Sequence, residues 1–417
     1  MTSRKYVLIS AHHCAPGMGS EHAVGWNLVS QLARVHNIIL VTQDNEYRAS
    51  IEAGIEQLKA DGCNVLAYFV RHGTSTDGRK NDLRLFYYLT YIAYQWRVYQ
   101  LAKRLVSQHE IAAVHHLNIV GFREPGFLWM LGLPFIWGPV GGLVYTPWRL
   151  YAELPAKTKL FQTLRAVITW LQFHLSPRVR LAYKATQRPG GAFIAATADI
   201  GARFQRRWGG RCLWIPETGS HDAPAEPRDP PIRRGTGEAL RLLWVGALID
   251  RKPLNMLLDA IAAVPRHASR LRLTVVGDGD SRARFEAHAR QLGVRADFLG
   301  WRPHEETLTH FHNSDLFVLL SISDLTTNVV FEALGNGLPV LCLDHHGYSG
   351  IVTEACGIKV RVSDPNTMRQ DITRILDELC SRPEVLTRLA KDAAPRAAQF
   401  SWKQNASAIS ELYAPLL

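Results

Sequence analysis

Residues 321–352 read SISDLTTNVVFEALGNGLPVLCLDHHGYSGIV. Two acids, Asp324 and Glu332, stand eight positions apart, the first before a short polar turn and the second inside an apolar helical run. Gly337-Leu338-Pro339 then leads into a β-like Val340-Leu341-Cys342-Leu343. A helix starting near Asn328 presents its first N–H groups, those of Asn328 and Val329 among them, at the positive end of its dipole. Such a tip suits a phosphate. Glu332, one turn further in, is placed to accept hydrogen bonds from sugar hydroxyls.

Outward from this stretch, short apolar strands alternate with helical patterns through both halves of the chain. Strands are expected near 5–10, 37–42, 65–70, 112–116, 134–138, 192–196 and 212–215, then near 241–247, 272–277, 296–299, 315–319 and 339–343. This is the pattern of doubly wound parallel sheets. The fold class is therefore α/β: two Rossmann-like domains facing each other across a cleft. Residues 1–219 form the first domain and 240–395 the second. Residues 220–239, SHDAPAEPRDPPIRRGTGEA, have a linker's proline and charge content and no apolar period. An amphipathic C-terminal helix within 396–417 is expected to pack back on the first domain. In open α/β sheets ligands gather at the carboxyl ends of the strands, so functional residues should follow strands directly.

The 417 residues exceed what one core usually organises. With 47% hydrophobic and 20% charged residues the chain reads as a globular protein. A net charge of +11 calls for an acidic partner: nucleic acid, an anionic membrane face or a phosphorylated substrate. No nucleic-acid motif is present, so nucleic acid is not expected. Six scattered cysteines without CxxC spacing suggest neither zinc nor disulfides, and a cytoplasmic setting. The uncharged run from Gly126 to Trp148 carries Pro134, Pro139 and Pro147, which excludes a continuous spanning helix.

Several constellations follow strands. His12 to Glu21 forms a glycine-containing loop with Gly17 and Gly19 before a helical run. His115 and His116 end another strand. Side chains alternate along a strand, so only one of the pair can face a site. Gly246 ends a strand and is followed by Arg251 and Lys252, a fork and a point charge suited to pyrophosphate. Gly277-Asp278-Gly279-Asp280 spells DxD but sits where aspartate serves a turn, so no metal is expected. Residues 149–188 carry eight basic residues against one acid, Glu153, interleaved with large apolar residues. That composition suits an anionic membrane surface as well as an ordinary packed helix. The aromatic-basic run 85–106 reads as a packing helix.

With these residues in place, the second half resembles the family 4 retaining glycosyltransferases of the GT-B fold, group 1 type. The resemblance runs through LLWVGALIDRKPLNMLLDAI, LTVVGDGD, ADFLGWRPHEE and the opening stretch. The first half is similar more loosely, through the glycine loop, the paired histidines and Trp137-Gly138-Pro139-Val140-Gly141-Gly142. It implies transfer of a sugar from a nucleotide diphosphate sugar, with retention and without metal or other cofactor, to a saccharide or lipid-linked saccharide acceptor. By position, the resemblance implies that Lys252, with Arg251, holds the donor diphosphate near Gly246 and Gly19. Trp301 and Arg302 would pack the nucleobase, and Glu332 would bind the ribose. Asp324 and His116 (or His115) would lie near the donor sugar. Ala247 stands where relatives carry arginine, and Leu325, Thr326 and Thr327 replace their glycines. An alternative reading is a catalytically weak nucleotide-sugar-binding scaffold. The enzyme reading places the protein in the cytoplasm, peripheral on the inner face of the membrane.

Overall fold

The computed structural model describes residues 5–73, 84–221 and 238–417. The chain folds as two compact units. The first comprises Met1–Leu143, Thr169–Thr218 and Trp402–Leu417, and the second Val144–Ile168 and Gly219–Ser401. The segment read as a linker lies for the most part outside the described residues.

The first unit is built on seven strands: β1 (Tyr6–Ala11), β2 (Ile38–Asp44), β3 (Val65–Arg71), β4 (Ile111–Asn118), β5 (Phe135–Val140), β6 (Ala192–Ala195) and β7 (Leu213–Trp214). Between and after them run α1 (Ser20–Ala33), α2 (Arg48–Ala60), α3 (Arg84–Gln108), α5 (Pro177–Thr186) and α6 (Ala198–Trp208), while α4 (Ala156–Leu175) belongs to the second unit as far as Ile168 and to the first from Thr169. The second unit has β8 (Leu240–Val245), β9 (Leu271–Val276), β10 (Ala296–Gly300), β11 (Leu316–Leu319), β12 (Val340–Leu343) and β13 (Gly357–Val360). Its helices are α7 (Leu254–Ala262), α8 (Arg282–Leu292), α9 (His304–His312), α10 (Asn328–Gly335), α11 (His346–Ile351), α12 (Pro365–Ser381) and α13 (Glu384–Ala398). The final helix, α14 (Trp402–Tyr413), belongs to the first unit.

Both sheets are parallel throughout. Runs such as Val7-Leu8-Ile9 and Phe317-Val318-Leu319 are fully buried, as strands covered by helices on both faces must be. The strand orders are β3-β2-β1-β4-β5-β6-β7 and β10-β9-β8-β11-β12-β13. In each the winding reverses beside the first strand, between β1 and β4 and between β8 and β11. A doubly wound sheet opens a crevice at this reversal, at the carboxyl ends of the strands.

All twelve expected strands are present, β7 reduced to two residues. β13 was not expected: Gly357-Ile358-Lys359-Val360 offers too short an apolar run. The run from Gly126 to Trp148 contains β5 and irregular backbone, with no continuous helix. Residues 144–168 leave the first unit for the second. Leu150 and Leu154 enter the second unit's core, and Glu153 accepts two hydrogen bonds from Arg369 at 2.7 Å. In the first unit α14 is fixed through Tyr413, whose hydroxyl meets His115 Nδ1 at 2.5 Å, and through Ser410, 2.6 Å from His36 Nε2.

Candidate functional site

The reversal point of the second sheet gathers the basic residues read from the sequence. Gly246, directly after β8, has φ +142°, and a Cβ there would stand 3.0 Å from Lys252 Nζ. Only glycine tolerates that backbone, and its bareness lets the ammonium fold back onto the strand end. Ile322 N–H donates to Arg251 O at 3.0 Å, which joins the loop after β8 to the loop after β11.

That junction presents Asp324 to both cations. Its carboxylate pairs with Arg251 Nη1 and lies 3.3 Å from Lys252 Nζ. Lys252 and Asp324 are 7% and 9% exposed, so the pair is shielded from water. Burial and the neighbouring Arg251 guanidinium draw the Lys252 ammonium down to about 8. The Asp324 carboxylate opposes that pull. Burial likewise draws Arg251 below its ordinary value. The geometry puts Asp324 on the cations themselves, whereas the resemblance implied a place near the donor sugar.

α10 begins at Asn328. Its N-cap, Thr327, is extended and makes no side-chain capping bond. The helix buries Val330, Phe331, Ala333 and Leu334, which leaves Glu332 on its outer side. Burial raises the Glu332 carboxyl, and His304 Nδ1, 3.9 Å away at the start of α9, opposes the rise. His304 follows Trp301 and Arg302 in the loop after β10. Trp301 is 71% exposed and Arg302 reaches Glu306 at 3.8 Å. Glu332 and the indole thus border the same loop.

A further wall was not singled out in the sequence. The segment after β12, Asp344 and His345 with the start of α11, packs on the polar turn of residues 321–327. His345 Nε2 lies 2.8 Å from Ser321 O, and Gly347 N–H donates to Leu325 O at 3.2 Å. A side chain at Gly347 would collide with Thr326 Oγ1. The buried Tyr348 hydroxyl, pushed up by burial, sits beside Ser321 and Thr327. His346 has φ +52°, rare for a non-glycine residue and most frequent where a site holds its backbone in place. The signal was available, since these residues follow a parallel strand as directly as Lys252 does. The DxD spelling does something local: Asp278 accepts from Gly279 N–H at 2.8 Å and from Arg282 at 3.0 Å.

The first sheet's reversal point holds a second polar cluster. Asn118, ending β4, accepts from His13 N–H and donates to His13 O and Glu21 O, which pins the glycine loop. Gly19 is the N-cap of α1, with open space where a Cβ would be. His12 Nε2 meets His72 Nδ1 at 2.9 Å, and His13 Nδ1 meets Glu21 at 3.0 Å. His115 is committed elsewhere, between Tyr413 and Gly138 O at 2.6 Å. His116 therefore takes the other side of β4, close enough to His12 for their charges to interact. Burial first, and His115 next, lower His116 to about 3, so its imidazole is neutral. Its ring lies against Gly126, where a Cβ would stand 3.2 Å from Nδ1.

Residues 231–394 match the glycosyl transferases group 1 family. They hold every residue of the β8–β11 cluster. Among curated relatives, the chain is 27% identical over 180 residues to the lipopolysaccharide core biosynthesis glycosyltransferase LpsE of Rhizobium meliloti. That alignment covers 42% of this chain and 49% of the relative. An alpha-D-kanosaminyltransferase of Streptomyces kanamyceticus is 26% identical over 198 residues, 46% of this chain and 50% of the relative. The chain thus spans about half the length of these relatives. Among solved structures, sucrose-phosphate synthase of Thermosynechococcus elongatus superposes with a TM-score of 0.62 at 18% identity, over 99% of both chains. HepE of Anabaena, solved with UDP, gives 0.58 at 16% identity over 99% of this chain and 100% of its own. The likeness shows the fold: two parallel-sheet Rossmann-like domains of the GT-B type.

Proposed function

We propose that the protein is a retaining glycosyltransferase of the family 4 type. It moves a sugar from a nucleotide diphosphate sugar to a saccharide or lipid-linked saccharide in surface polysaccharide or glycolipid synthesis. One observation carries the reading: Arg251 and Lys252 converge at the reversal point of the second sheet, within the segment that matches the family. Beside them in that segment lie the uncapped tip of α10 and Glu332.

In this reading the donor diphosphate takes the place of the Asp324 carboxylate on Arg251 and Lys252. The ribose hydroxyls donate to Glu332, and the base lies against Trp301. The carbon–oxygen bond to the diphosphate breaks as the acceptor hydroxyl attacks the same face of the anomeric carbon. The acceptor's proton leaves with the diphosphate. Stabilising the leaving charge is the main electrostatic task, and fixed cations in a shielded site perform it best. In this reading that task falls to Arg251 and Lys252.

A thermal-shift panel of UDP-, GDP-, dTDP- and ADP-sugars identifies the donor, and Lys252→Ala and Glu332→Ala should each abolish its stabilising effect. Undiminished donor affinity in both variants would sink the assignment. The pairing of Asp324 with both cations also favours a second reading, a binder with little turnover. Transfer or slow donor hydrolysis by the purified protein would exclude it.

A further inference from the structure

An acid adjoins the two cations in sequence and takes other partners in space. Ile249 O accepts from Lys252 N–H at 2.9 Å, so Asp250 and Arg251 are the central residues of a tight turn in the loop after β8. Arg251 and Lys252 both pair with Asp324. The Asp250 carboxylate is bound elsewhere in the second unit. Its Oδ2 accepts from Thr158 Oγ1 at 2.6 Å, and its Oδ1 accepts from Ser281 Oγ and from Arg284 Nη2, both at 2.9 Å.

These partners are themselves fixed. Thr158 lies at the start of α4, shortly after Glu153, which Arg369 holds, and Leu154, which is buried in the second unit's core. Ser281 stands at the N-cap of α8, where a serine hydroxyl ordinarily accepts from the helix's own N–H groups. Here it makes no capping bond and donates to Asp250 instead. Its N–H donates to Leu248 O at 2.9 Å, so the same residue grips the loop through backbone and side chain. Burial acts to raise the Asp250 carboxyl, but the bonds from Thr158 and Ser281 and the charge of Arg284 outweigh it and keep the group ionised. Left free, that charge would settle on the adjacent cations and hold off an arriving anion.

We propose that Asp250 is the positioning residue of the cation pair: by tying the turn to Thr158 and Ser281 it keeps Arg251 and Lys252 at the strand ends and its own charge away from them. That the pair receives a diphosphate rests on the donor-site reading; the anchoring does not.

Competitive acetylation of the full chain, with mass spectrometry of the peptide holding Lys252, reads the titration of that lysine with no ligand present. Asp250→Ala frees the turn and lets water reach the ammonium, which should raise its titration from about 8 towards 10.5. Loss of a negative charge without loss of position would lower it instead. Thr158→Val removes one hydrogen bond at a half-buried position and should shift the titration the same way by less, which keeps the test decisive should Asp250→Ala not fold. Thr158→Ser keeps the hydroxyl and should restore the parent value. In calorimetry with UDP, GDP, dTDP and ADP, Asp250→Ala should weaken whichever diphosphate the parent binds by roughly tenfold or more, the worth of one hydrogen bond to a charged group. An unchanged or lowered Lys252 titration in the variants would overturn the inference, as would tighter diphosphate binding by Asp250→Ala. A raised titration in a protein that binds none of the four would uphold the anchoring and sink the donor-site reading.

Discussion

Asp324→Asn separates the two tasks of the β8–β11 cluster, because it keeps the shape and removes the charge that holds Arg251 and Lys252 together. At 3.3 Å and an effective dielectric near 20, the Lys252–Asp324 attraction is about 5 kcal/mol before desolvation is subtracted. Removing one partner of a buried pair costs about 3–5 kcal/mol. Arg251 keeps contact with water, so the low end, about 3 kcal/mol, applies here. In a unit of this size that lowers the melting temperature of the free protein by roughly 6–12 °C at pH 7. The sign of the pH dependence follows from Lys252. Its folded value lies below the unfolded 10.5, so the ammonium destabilises the fold below about 8 and the penalty is relieved between there and 10.5. Without the carboxylate the relief begins at lower pH, so the gap between variant and parent narrows as pH rises towards 8 and stays level above it. A nucleotide diphosphate should rescue the variant, since it returns the missing negative charge without displacing a carboxylate. Its affinity should rise roughly tenfold, about 1.4 kcal/mol. Scanning fluorimetry and titration calorimetry with nucleoside diphosphates read both effects. Weaker nucleotide binding by Asp324→Asn, or an unchanged melting temperature, would refute the competition between carboxylate and diphosphate.

Donor affinity in the parent should be level below about pH 8 and fall by up to tenfold per unit above it, as Lys252 loses its proton; calorimetry from pH 6 to 10 checks this. Gly246→Ala should cost about 1–3 kcal/mol through the +142° backbone and reduce donor binding by pushing on Lys252 Nζ, both measurable in one thermal-shift series. His115→Phe should leave the Tyr413 hydroxyl and Gly138 O unpartnered, cost about 1–3 kcal/mol, and speed amide exchange in α14. In the parent, burial holds His115 near 4 against 6.5 unfolded, so it contributes stability at neutral pH that is lost as pH falls from 6.5 towards 4. His115→Phe should remove that part of the acid sensitivity.

Strands were legible because a parallel sheet covered on both faces demands continuous apolar runs, and Leu316 to Leu319 or Val340 to Leu343 supply nothing else. β13 was not, because Lys359 at the sheet edge keeps its ammonium outside, paired with Asp344 at 3.4 Å, and breaks the run. The placing of functional residues after strands was legible for the same topological reason. Side-chain direction was not. Alternation says that His115 and His116 point apart, and only the packing of α14, nearly 300 residues later, turns His115 inward to Tyr413. The membership of residues 144–168 in the second unit had no sequence mark, since it depends on where Arg369 waits for Glu153.

Asp324 shows why the remaining gap is chemical. A sequence gives a carboxylate an address but no counterion, and a carboxylate eight residues before Glu332 has two physical options. It can face the ligand, or it can neutralise cations that would otherwise repel each other inside the protein. Lys252 is nearly buried beside Arg251, and two like charges so placed are costly without an anion. In the free protein Asp324 therefore has to be that anion. On the proposed function a diphosphate would compete with it for the same two side chains and, on winning, would release the carboxylate beside the donor. On that proposal the two options are successive states of one residue, and the nucleotide affinity of Asp324→Asn would measure the free energy between them.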